Sequence, residues 1–458
     1  MIHTKNVISP SFIEGICILI ISLGVMSTSI IFLETVPHIP IISALIFLFL
    51  YGLVKKVPFK QMEQGVIKGA QTGLGAIFLF FMIGVLISSW MISGTIPTIM
   101  YYGFELATAD FFYSMVFIIC AIVGVSIGSA FTTAGTLGIA FIGIAGSTDA
   151  SLPITAGAII SGAFFGDKMS PLSDTTNLAS SIVHVDIFEH IKNMAWTTIP
   201  AFVLTTIVLA FLSPESQQID LSAIHKFQSS LEETNLVHFY SLLPILLLIV
   251  LAMLKVNALA TLAVSSITGL LISFIHLPLG MGEIFTILFN GYVSNTGLET
   301  IDHLLTRGGI DSMMFTISLV ILALGLGGLL FTLGIIQSVL HGIKNWFKSR
   351  ASTILTSVSC AFGVNLLVGE QYLSILLTGE AFADSYDQKG IDRKHLSRSL
   401  EDAGTVVNPL VPWSVCGVFL TGVLGVPTLE YLPYTFFCLL SPLFTIILGI
   451  TGIGMRNQ

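Results

Sequence analysis

The chain contains little charge for its length. Of its 458 residues, 18 are Lys or Arg and 26 are Asp or Glu, so that charged residues make up only 10% of the sequence. Soluble domains carry about 25% charged residues. This composition excludes a soluble globular protein, and the net charge of −8 leaves no basic surface for a nucleic acid partner.

Cysteine is scarce as well. The five cysteines stand singly inside apolar segments, as Cys17, Cys120, Cys360, Cys416 and Cys438. Disulfide frameworks and metal clusters need cysteines in spaced pairs or groups, which this pattern does not provide. We therefore expect packing cysteines and no cofactor.

Apolar residues are abundant, since 54% of the sequence is hydrophobic. Apolar runs bounded by Pro, Gly or charged residues recur at about 12–33, 39–54, 70–93, 111–147, 153–165, 194–212, 241–254, 257–276, 312–333, 351–385, 414–425 and 427–450. Such runs are typical of transmembrane helices. The sequence predicts an all-α polytopic membrane protein, and we interpret the first run as a retained helix rather than a signal peptide.

Segments of the first half match segments about 240 residues later, in the same order. The pairs are "MISGTIPTIMYYG" (91–103) with "LFTLGIIQSVLHG" (330–342), "VGVSIG" (123–128) with "FGVNLL" (362–367), and "SPLSDTT" (170–176) with "NPLVPWS" (408–414). Three ordered matches indicate a duplicated unit. We predict two copies, residues 1–212 and 240–458, joined by an external connector at 213–239.

Each copy is predicted to contain five spans, one hairpin and one broken helix. The hairpins are 111–147 and 351–385, which Gly and polar residues interrupt, and the broken helices are 153–187 and 392–425. An odd number of spans per copy turns the second copy upside down. Two inverted repeats with interrupted helices are the architecture of secondary transporters.

The distribution of basic residues favours one orientation. With a cytoplasmic N-terminus, nearly every basic cluster lies inside and the acidic connector lies outside. The clustered basic residues are Lys55, Lys56, Lys60, Lys68, Lys192, Lys344, Lys348, Arg350, Arg393, Lys394, Arg398 and Arg456. If both hairpins crossed the membrane instead, Arg393, Lys394 and Arg398 would lie outside. We therefore predict that both termini are cytoplasmic, and we interpret the polar arm at 391–402 as a solvated amphipathic face.

The first broken helix contains the motif "GDKMSPLSDTTN" at 166–177. Pro171 cannot continue a helix, and unpaired backbone groups inside a membrane must face a cavity, a ligand or other protein. The motif offers oxygen ligands from Asp167, Ser170, Asp174, Thr175 and Thr176, which suit Na⁺. Desolvation strengthens the binding of a proton to a carboxylate, whereas a nearby cation weakens it. The same group can therefore hold either Na⁺ or H⁺. The alternative is a solvated loop in which Lys168 pairs with one of the aspartates.

The tip of the first hairpin, "SIGSAFTTAG", is expected to face this motif. Ser129, Thr132 and Thr133 could supply hydroxyl oxygens to the same ion. Runs of Ser, Thr and Gly also ease helix packing, which is the alternative interpretation.

The second copy differs in chemistry from the first. Its break carries Thr405, Asn408 and Ser414 where the first copy has aspartates, and its charge lies at Glu370, Glu401 and Asp402. We expect those three acids, together with Asp167 and Asp174, to be candidates for proton coupling. Trp413 and Ser414 are candidates for a substrate contact or a gate, although packing is an alternative role for Trp413.

The motifs "GDKMSPLSDTTNLA" and "GTVVNPLVPWSVCG" resemble the signature breaks of the NhaC-type Na⁺/H⁺ antiporter family of the ion transporter superfamily. The resemblance implies exchange of Na⁺ or Li⁺ for H⁺ across the bacterial cytoplasmic membrane. It also implies re-entrant hairpins, a moving transport domain and a scaffold domain that forms a homodimer. The ion-binding positions carried over are Asp167, Ser170, Asp174, Thr175, Thr176, Thr405, Asn408 and Pro409.

Other functions remain open at this point. The same family contains sodium-coupled malate/lactate exchangers, so that a small carboxylate is a possible second substrate. An intramembrane aspartyl protease would pair Asp167 with a second acid such as Asp110. That alternative leaves the repeat unexplained, and we expect a transporter and not an enzyme.

Overall fold

The structure is a computed structural model of the chain. It describes residues 8–33, 35–107, 111–147, 150–171, 173–213, 228–229, 231–254, 256–277, 279–295, 302, 305–306, 308–343 and 349–454. Asp110 and most of the connector at 213–239 lie outside the described residues.

All secondary structure elements in the described ranges are helical, which confirms the predicted all-α fold for that part of the chain. The α-helices, numbered in chain order, are α1 Phe12–Ser27, α2 His38–Val54, α3 Phe59–Thr72, α4 Leu74–Ile92, α5 Thr95–Ala107, α6 Phe112–Ile127, α7 Ala130–Thr133, α8 Ile139–Ser147, α9 Leu152–Met169, α10 Asp174–Ile182, α11 Ile187–Leu212, α12 Leu243–Met253, α13 Ala258–His276, α14 Met281–Asn290, α15 Ile310–Thr332, α16 Ile335–Ile343, α17 Arg350–Val368, α18 Gln371–Gln388, α19 Arg393–Leu400, α20 Val415–Leu424, α21 Thr428–Tyr431 and α22 Phe436–Thr451. A π-helical turn, Glu401–Thr405, follows α19 directly.

Several of these helices have the length and composition of membrane spans. Within the described residues, five are long and apolar enough to cross a bilayer, and three bent helix pairs raise that number to as many as eight. We predicted ten spans. Some apolar helices, such as His38–Val54, are too short to be included in this number. Large apolar side chains on the outer surface, such as Phe211 at 86% exposed, suit a lipid environment. The chain is a multi-pass membrane protein.

The helices α6 to α8 and the pair α17 and α18 each form a helical hairpin. In the second hairpin, α17 and α18 pack side by side, because Ser374 Oγ donates to the carbonyl oxygen of Ala361 and Ser357 Oγ lies 2.8 Å from the Tyr386 hydroxyl. In the first hairpin, α6 runs toward the tip at Gly128, and α8 runs away from the tip. Its two ends meet where the backbone N–H of Ser151 donates to the Tyr113 hydroxyl over 2.8 Å.

Both hairpin tips turn at a glycine with left-handed backbone. Gly128 ends α6 with φ 70°, and Gly369 ends α17 with φ 69°. Glycine adopts this conformation without the steric cost that other residues incur. The next residue caps the following helix in each hairpin: Ser129 accepts from the N–H of Thr132, and Glu370 accepts from the N–H of Leu373.

Close packing of α6 against α9 places the first tip beside the first break. A Cβ atom built on Gly166 would lie 2.4 Å from Cα of Gly124, and one built on Gly162 would lie 2.4 Å from the carbonyl oxygen of Phe117. The two backbones can approach this closely only because side chains are absent there. Asp167 follows Gly166 and is thereby held next to the tip.

The buried apolar residues form two clusters. One includes Trp90, Phe117, Phe164 and Phe419, and it fills the space around α4, α6, α8 and α9. The other includes Leu48, Leu329, Tyr386 and Trp413, and it lies around α1, α2, α15, α17 and α18. Each hairpin is therefore anchored by its own apolar core.

Candidate functional site

The first broken helix is interrupted at Pro171. Helix α9 ends at Met169, and α10 begins at Asp174 after Ser173, whose side chain caps α10 by accepting from the N–H of Thr176. The last carbonyls of α9 also find a partner in this motif. Thr176 Oγ1 lies 3.3 Å from the carbonyl oxygen of Asp167 and 3.1 Å from that of Lys168. The hydroxyl of Thr176 thus provides one hydrogen-bond donor for the carbonyl groups at the end of α9.

Asp167 and Glu401 approach each other across the hydroxyl group of Thr175. Thr175 Oγ1 lies 3.0 Å from Glu401 Oε1 and 3.5 Å from Asp167 Oδ2. Asp167 is 6% exposed, and Glu401 is fully buried. Ala130, at the start of α7, and Asp167 line the same cavity. Acids from the two halves of the chain and the tip of the first hairpin therefore meet at this point.

A cavity of about 240 Å³ opens beside these groups. Its polar lining comes from five elements: the first hairpin tip, the first break, the second hairpin tip, the second break and the start of α13. The lining includes Ser129, Thr132, Asp167, Asp174, Thr175, Asn257, Gln371, Tyr372 and Cys416. The expected meeting of the first hairpin tip with the first break is thus present. Three predicted site residues do not line this cavity, although they are buried and close in sequence to residues that do. They are Ser170, Thr133 and Thr176.

A second cavity of about 400 Å³ adjoins the first and shares Asp174, Gln371 and Tyr372 with it. Glu370 contributes to its wall. The carboxylate of Glu370 accepts from the N–H of Leu373 over 2.7 Å, so that this acid caps α18. A charged cap is stabilised by the positive end of the helix dipole. Asp174, by contrast, is exposed to the cavities, and it begins α10.

Lys168 pairs with an acid that the sequence analysis did not consider for it. Its ammonium group donates to Asp402 Oδ1, and both side chains are fully buried. The solvated-loop interpretation, in which Lys168 neutralises an aspartate of its own motif, is therefore wrong. Asp402 is consequently held in an ion pair and does not line either cavity.

The polar side chains of the second break form hydrogen bonds with other groups of the second half of the chain. Asn408 Nδ2 donates to Asn365 Oδ1 over 2.6 Å, and Asn408 Oδ1 accepts from the N–H of Cys416 over 2.9 Å. Ser414 Oγ caps α20 by accepting from the N–H of Gly417. Thr405 is fully buried in the π-helical turn. Neither Asn408 nor Ser414 lines the two cavities.

Trp413 packs against the second hairpin. It is 3% exposed, and its indole N–H donates to the carbonyl oxygen of Leu366 over 2.7 Å. The side chain is part of the apolar core around α17 and α18. This geometry corresponds to the packing alternative and not to a substrate contact.

The arm at 391–402 is not a solvated face. Every residue from His395 to Leu400 is buried, including the guanidinium group of Arg398. The arm packs against α11, where His190 Nδ1 lies 2.8 Å from Ser397 Oγ and Asn193 Nδ2 donates to the carbonyl oxygen of Lys394. The polar pattern of the arm therefore reflects buried polar contacts and not contact with water.

Sequence reasoning did not identify Thr197, Ser441 and Thr445 as site residues. All three are fully buried and donate to Asp402. A weak signal existed in the last apolar run, where Ser441 and Thr445 are spaced i, i+4 and so share one face of a helix. Asn365, which donates to the carbonyls of Ala403 and Gly404, gave no such signal.

Comparison with known proteins finds one matching family and several relatives that are similar over nearly the full length of the chain. Residues 162–453 match the Na⁺/H⁺ antiporter family. The Na⁺/H⁺ antiporter NhaC of Alkalihalophilus pseudofirmus is 40% identical over 96% of this chain and 95% of its own length. NhaC of Bacillus subtilis is 38% identical over 96% of both chains. The malate-2H⁺/Na⁺-lactate antiporter of Bacillus subtilis is 34% identical over 98% of this chain and 96% of its own length.

Proposed function

The chain belongs to the Na⁺/H⁺ antiporter family, and we propose that it exchanges Na⁺ or Li⁺ for H⁺ by alternating access. The observation that carries this proposal is the Thr175 hydroxyl between the carboxylates of Asp167 and Glu401, beside a polar cavity. Two buried acids at one point can share a single positive charge. Such a pair can release a proton when it binds a metal ion.

The ion is proposed to bind at the wall of the smaller cavity. Asp167, Asp174 and Thr175 offer carboxylate and hydroxyl oxygens there, and Ser129 and Thr132 offer more from the hairpin tip. Na⁺ prefers such hard oxygen ligands. Glu401 contacts the same hydroxyl from the opposite side and is our choice for the proton-carrying acid. The cycle needs no covalent step and no bound cofactor.

The proposed architecture is a pair of inverted repeats, at 1–212 and 240–458. Four pairs of equivalent features support it: the left-handed glycines Gly94 and Gly334, the tip glycines Gly128 and Gly369, the tip caps Ser129 and Glu370, and the break caps Ser173 and Ser414. Inverted repeats allow the site to face one side and then the other. A scaffold domain that forms a homodimer is proposed on the family resemblance alone.

We propose that the chain lies in a bacterial cytoplasmic membrane with both termini inside. In this orientation the start of the basic helix α3, with Lys60, lies on the cytoplasmic side.

Exchange in proteoliposomes tests the proposal. Purified full-length protein is reconstituted with an internal pH indicator, and Na⁺, Li⁺, K⁺, malate and lactate are added in parallel. We expect Na⁺ and Li⁺ to change the internal pH, and we expect Asp167→Asn and Glu401→Gln to abolish the change. Glu63→Gln, at an exposed position on α3, is the matched control.

The outcomes separate two functions. If the internal pH stays constant with Na⁺ and Li⁺ in correctly oriented vesicles, Na⁺/H⁺ exchange is refuted. If Na⁺ acts only together with malate or lactate, the chain is a sodium-coupled organic acid exchanger. The cavity linings contain no Arg or Lys among the described residues to pair with a solute carboxylate, which favours simple ion exchange.

A further inference from the structure

Asp402 lies at the centre of a buried group of oxygen atoms, which we call the oxygen cage. It consists of the Asp402 carboxylate and the hydroxyl groups of Thr197, Ser441 and Thr445. Thr197 and Thr445 donate to Asp402 Oδ2, and Ser441 donates to Asp402 Oδ1 over 2.6 Å. All four side chains are fully buried.

The oxygen cage is built by three elements: the π-helical turn after α19, helix α11 and helix α22. Lys168 reaches into it from a fourth element, α9. Its ammonium group donates to Asp402 Oδ1, to Ser441 Oγ over 2.8 Å and to Thr197 Oγ1 over 3.3 Å. An ammonium group has three N–H donors, so that the oxygen cage satisfies all of them.

The ligands of the oxygen cage match those of a monovalent cation site. One carboxylate supplies one negative charge, and three hydroxyl groups supply neutral hard oxygens. The Phe437 ring, whose centroid lies 5.7 Å from Lys168 Nζ, adds a surface that attracts cations. In this chain the positive charge is carried by a side chain instead of a free ion.

The oxygen cage adjoins the proposed transport site through the backbone at two points. Lys168 directly follows Asp167, and Asp402 directly follows Glu401. These neighbouring residues thus provide two places for a positive charge, one between Asp167 and Glu401 and one in the oxygen cage. The first is open to a cavity, whereas the second is closed by Lys168.

We propose that the oxygen cage is a second monovalent-cation site that Lys168 fills permanently, so that Lys168 limits the number of Na⁺ ions bound per chain. The inference rests on the proposed function, because it concerns the number of cations that bind beside the proposed transport site. Removal of the lysine side chain should open the oxygen cage to a free ion such as Na⁺ or K⁺.

Equilibrium binding to purified full-length protein tests this inference without any transport measurement. Radioactive sodium and rubidium are counted per chain for the wild type, Lys168→Ala and the double variant Lys168→Ala with Asp402→Asn. We expect Lys168→Ala to bind one additional cation, which methylammonium displaces, and we expect the double variant to lose it. Lys394→Ala, which removes a lysine from the partly exposed pair with Asp392, is the matched control and should bind no additional ion.

Each outcome decides the inference. A folded Lys168→Ala variant that binds no more cations than the wild type overturns it. A Lys168→Ala variant that fails to fold in Na⁺, K⁺ and methylammonium alike also overturns it, since an oxygen cage open to free cations would be stabilised by them. Asp167→Asn in the same assay keeps the two proposals apart. Loss of wild-type Na⁺ binding in that variant supports the transport site, whereas the additional ion depends on Asp402.

Discussion

Thr175 Oγ1 and Glu401 Oε1 lie 3.0 Å apart, although the two residues are separated by 226 positions in the chain. One belongs to the helix that follows the first break, and the other begins the π-helical turn of the second. The same hydroxyl lies 3.5 Å from Asp167 Oδ2. A single threonine therefore connects the acids of the two halves, and its removal is a direct test of their coupling.

We expect Thr175→Val to weaken Na⁺ binding while the fold is retained. Valine keeps the shape of threonine but cannot donate to Glu401, and a hydrogen bond to a charged group contributes about 1.5–3 kcal/mol. The KM for Na⁺ in vesicle exchange should rise on the order of tenfold or more. Thr176→Val is the control, since its hydroxyl contacts backbone carbonyls. Equal KM values for the two variants would contradict the proposed bridge.

Glu401→Gln and Asp402→Asn should differ in effect, although the residues are neighbours. Glu401→Gln removes a proposed proton carrier, and we expect lost exchange with a nearly unchanged melting temperature. Asp402→Asn leaves the buried ammonium group of Lys168 without its counter-ion, which destabilises proteins by about 3–5 kcal/mol. Thermal unfolding in detergent, measured beside vesicle exchange, compares the two. A greater loss of stability in Glu401→Gln than in Asp402→Asn would refute this division of roles.

Substitution of either tip glycine should destabilise the protein. Gly128→Ala and Gly369→Ala force a Cβ atom into left-handed backbone, at a cost of about 1–2 kcal/mol. At Gly369 the new atom would also lie 3.1 Å from the carbonyl oxygen of Trp413. Gly363→Ala, on α17 with open space around it, is the control and should be neutral or stabilising. The melting temperatures of the three variants in detergent provide the measurement.

Trp413→Phe should leave the KM for Na⁺ unchanged. The phenyl ring keeps most of the packing, and the lost indole hydrogen bond to Leu366 contributes about 1 kcal/mol to stability. Tyr372→Phe is the contrasting variant, because Tyr372 lines both cavities. A changed ion or solute preference in Trp413→Phe would restore tryptophan as a gate residue.

The sequence predicted the features that depend on local chemistry. Pro171 and the flanking serines and threonines indicated the break between α9 and α10, and Gly128 indicated an interruption in the first hairpin. The high apolar content predicted a multi-pass helical protein, which is confirmed. These features could be predicted because each follows from the conformational limits or the solvation of single residues.

The sequence did not predict which buried groups would be partners. Lys168 and Asp402 are 234 positions apart, and their pairing depends on how α9 packs against the second half. The arm at 391–402 has the charge of a water-exposed segment, yet α11 covers it. A polar residue that contacts water and one that contacts a buried partner look alike in a single sequence, because only the tertiary structure separates them.

Helix α22 supplies Ser441 and Thr445 to Asp402, so that the polar interior depends on the last helix of the described chain. During synthesis, α9 enters the membrane long before this helix leaves the ribosome. Until then, Lys168 must remain at the bilayer surface, bind water, or be shielded by an insertion factor. Biogenesis should therefore pass through a stage in which the first half is in the membrane but Lys168 has not yet paired with Asp402. Proteases of the quality-control system should recognise chains arrested at this stage.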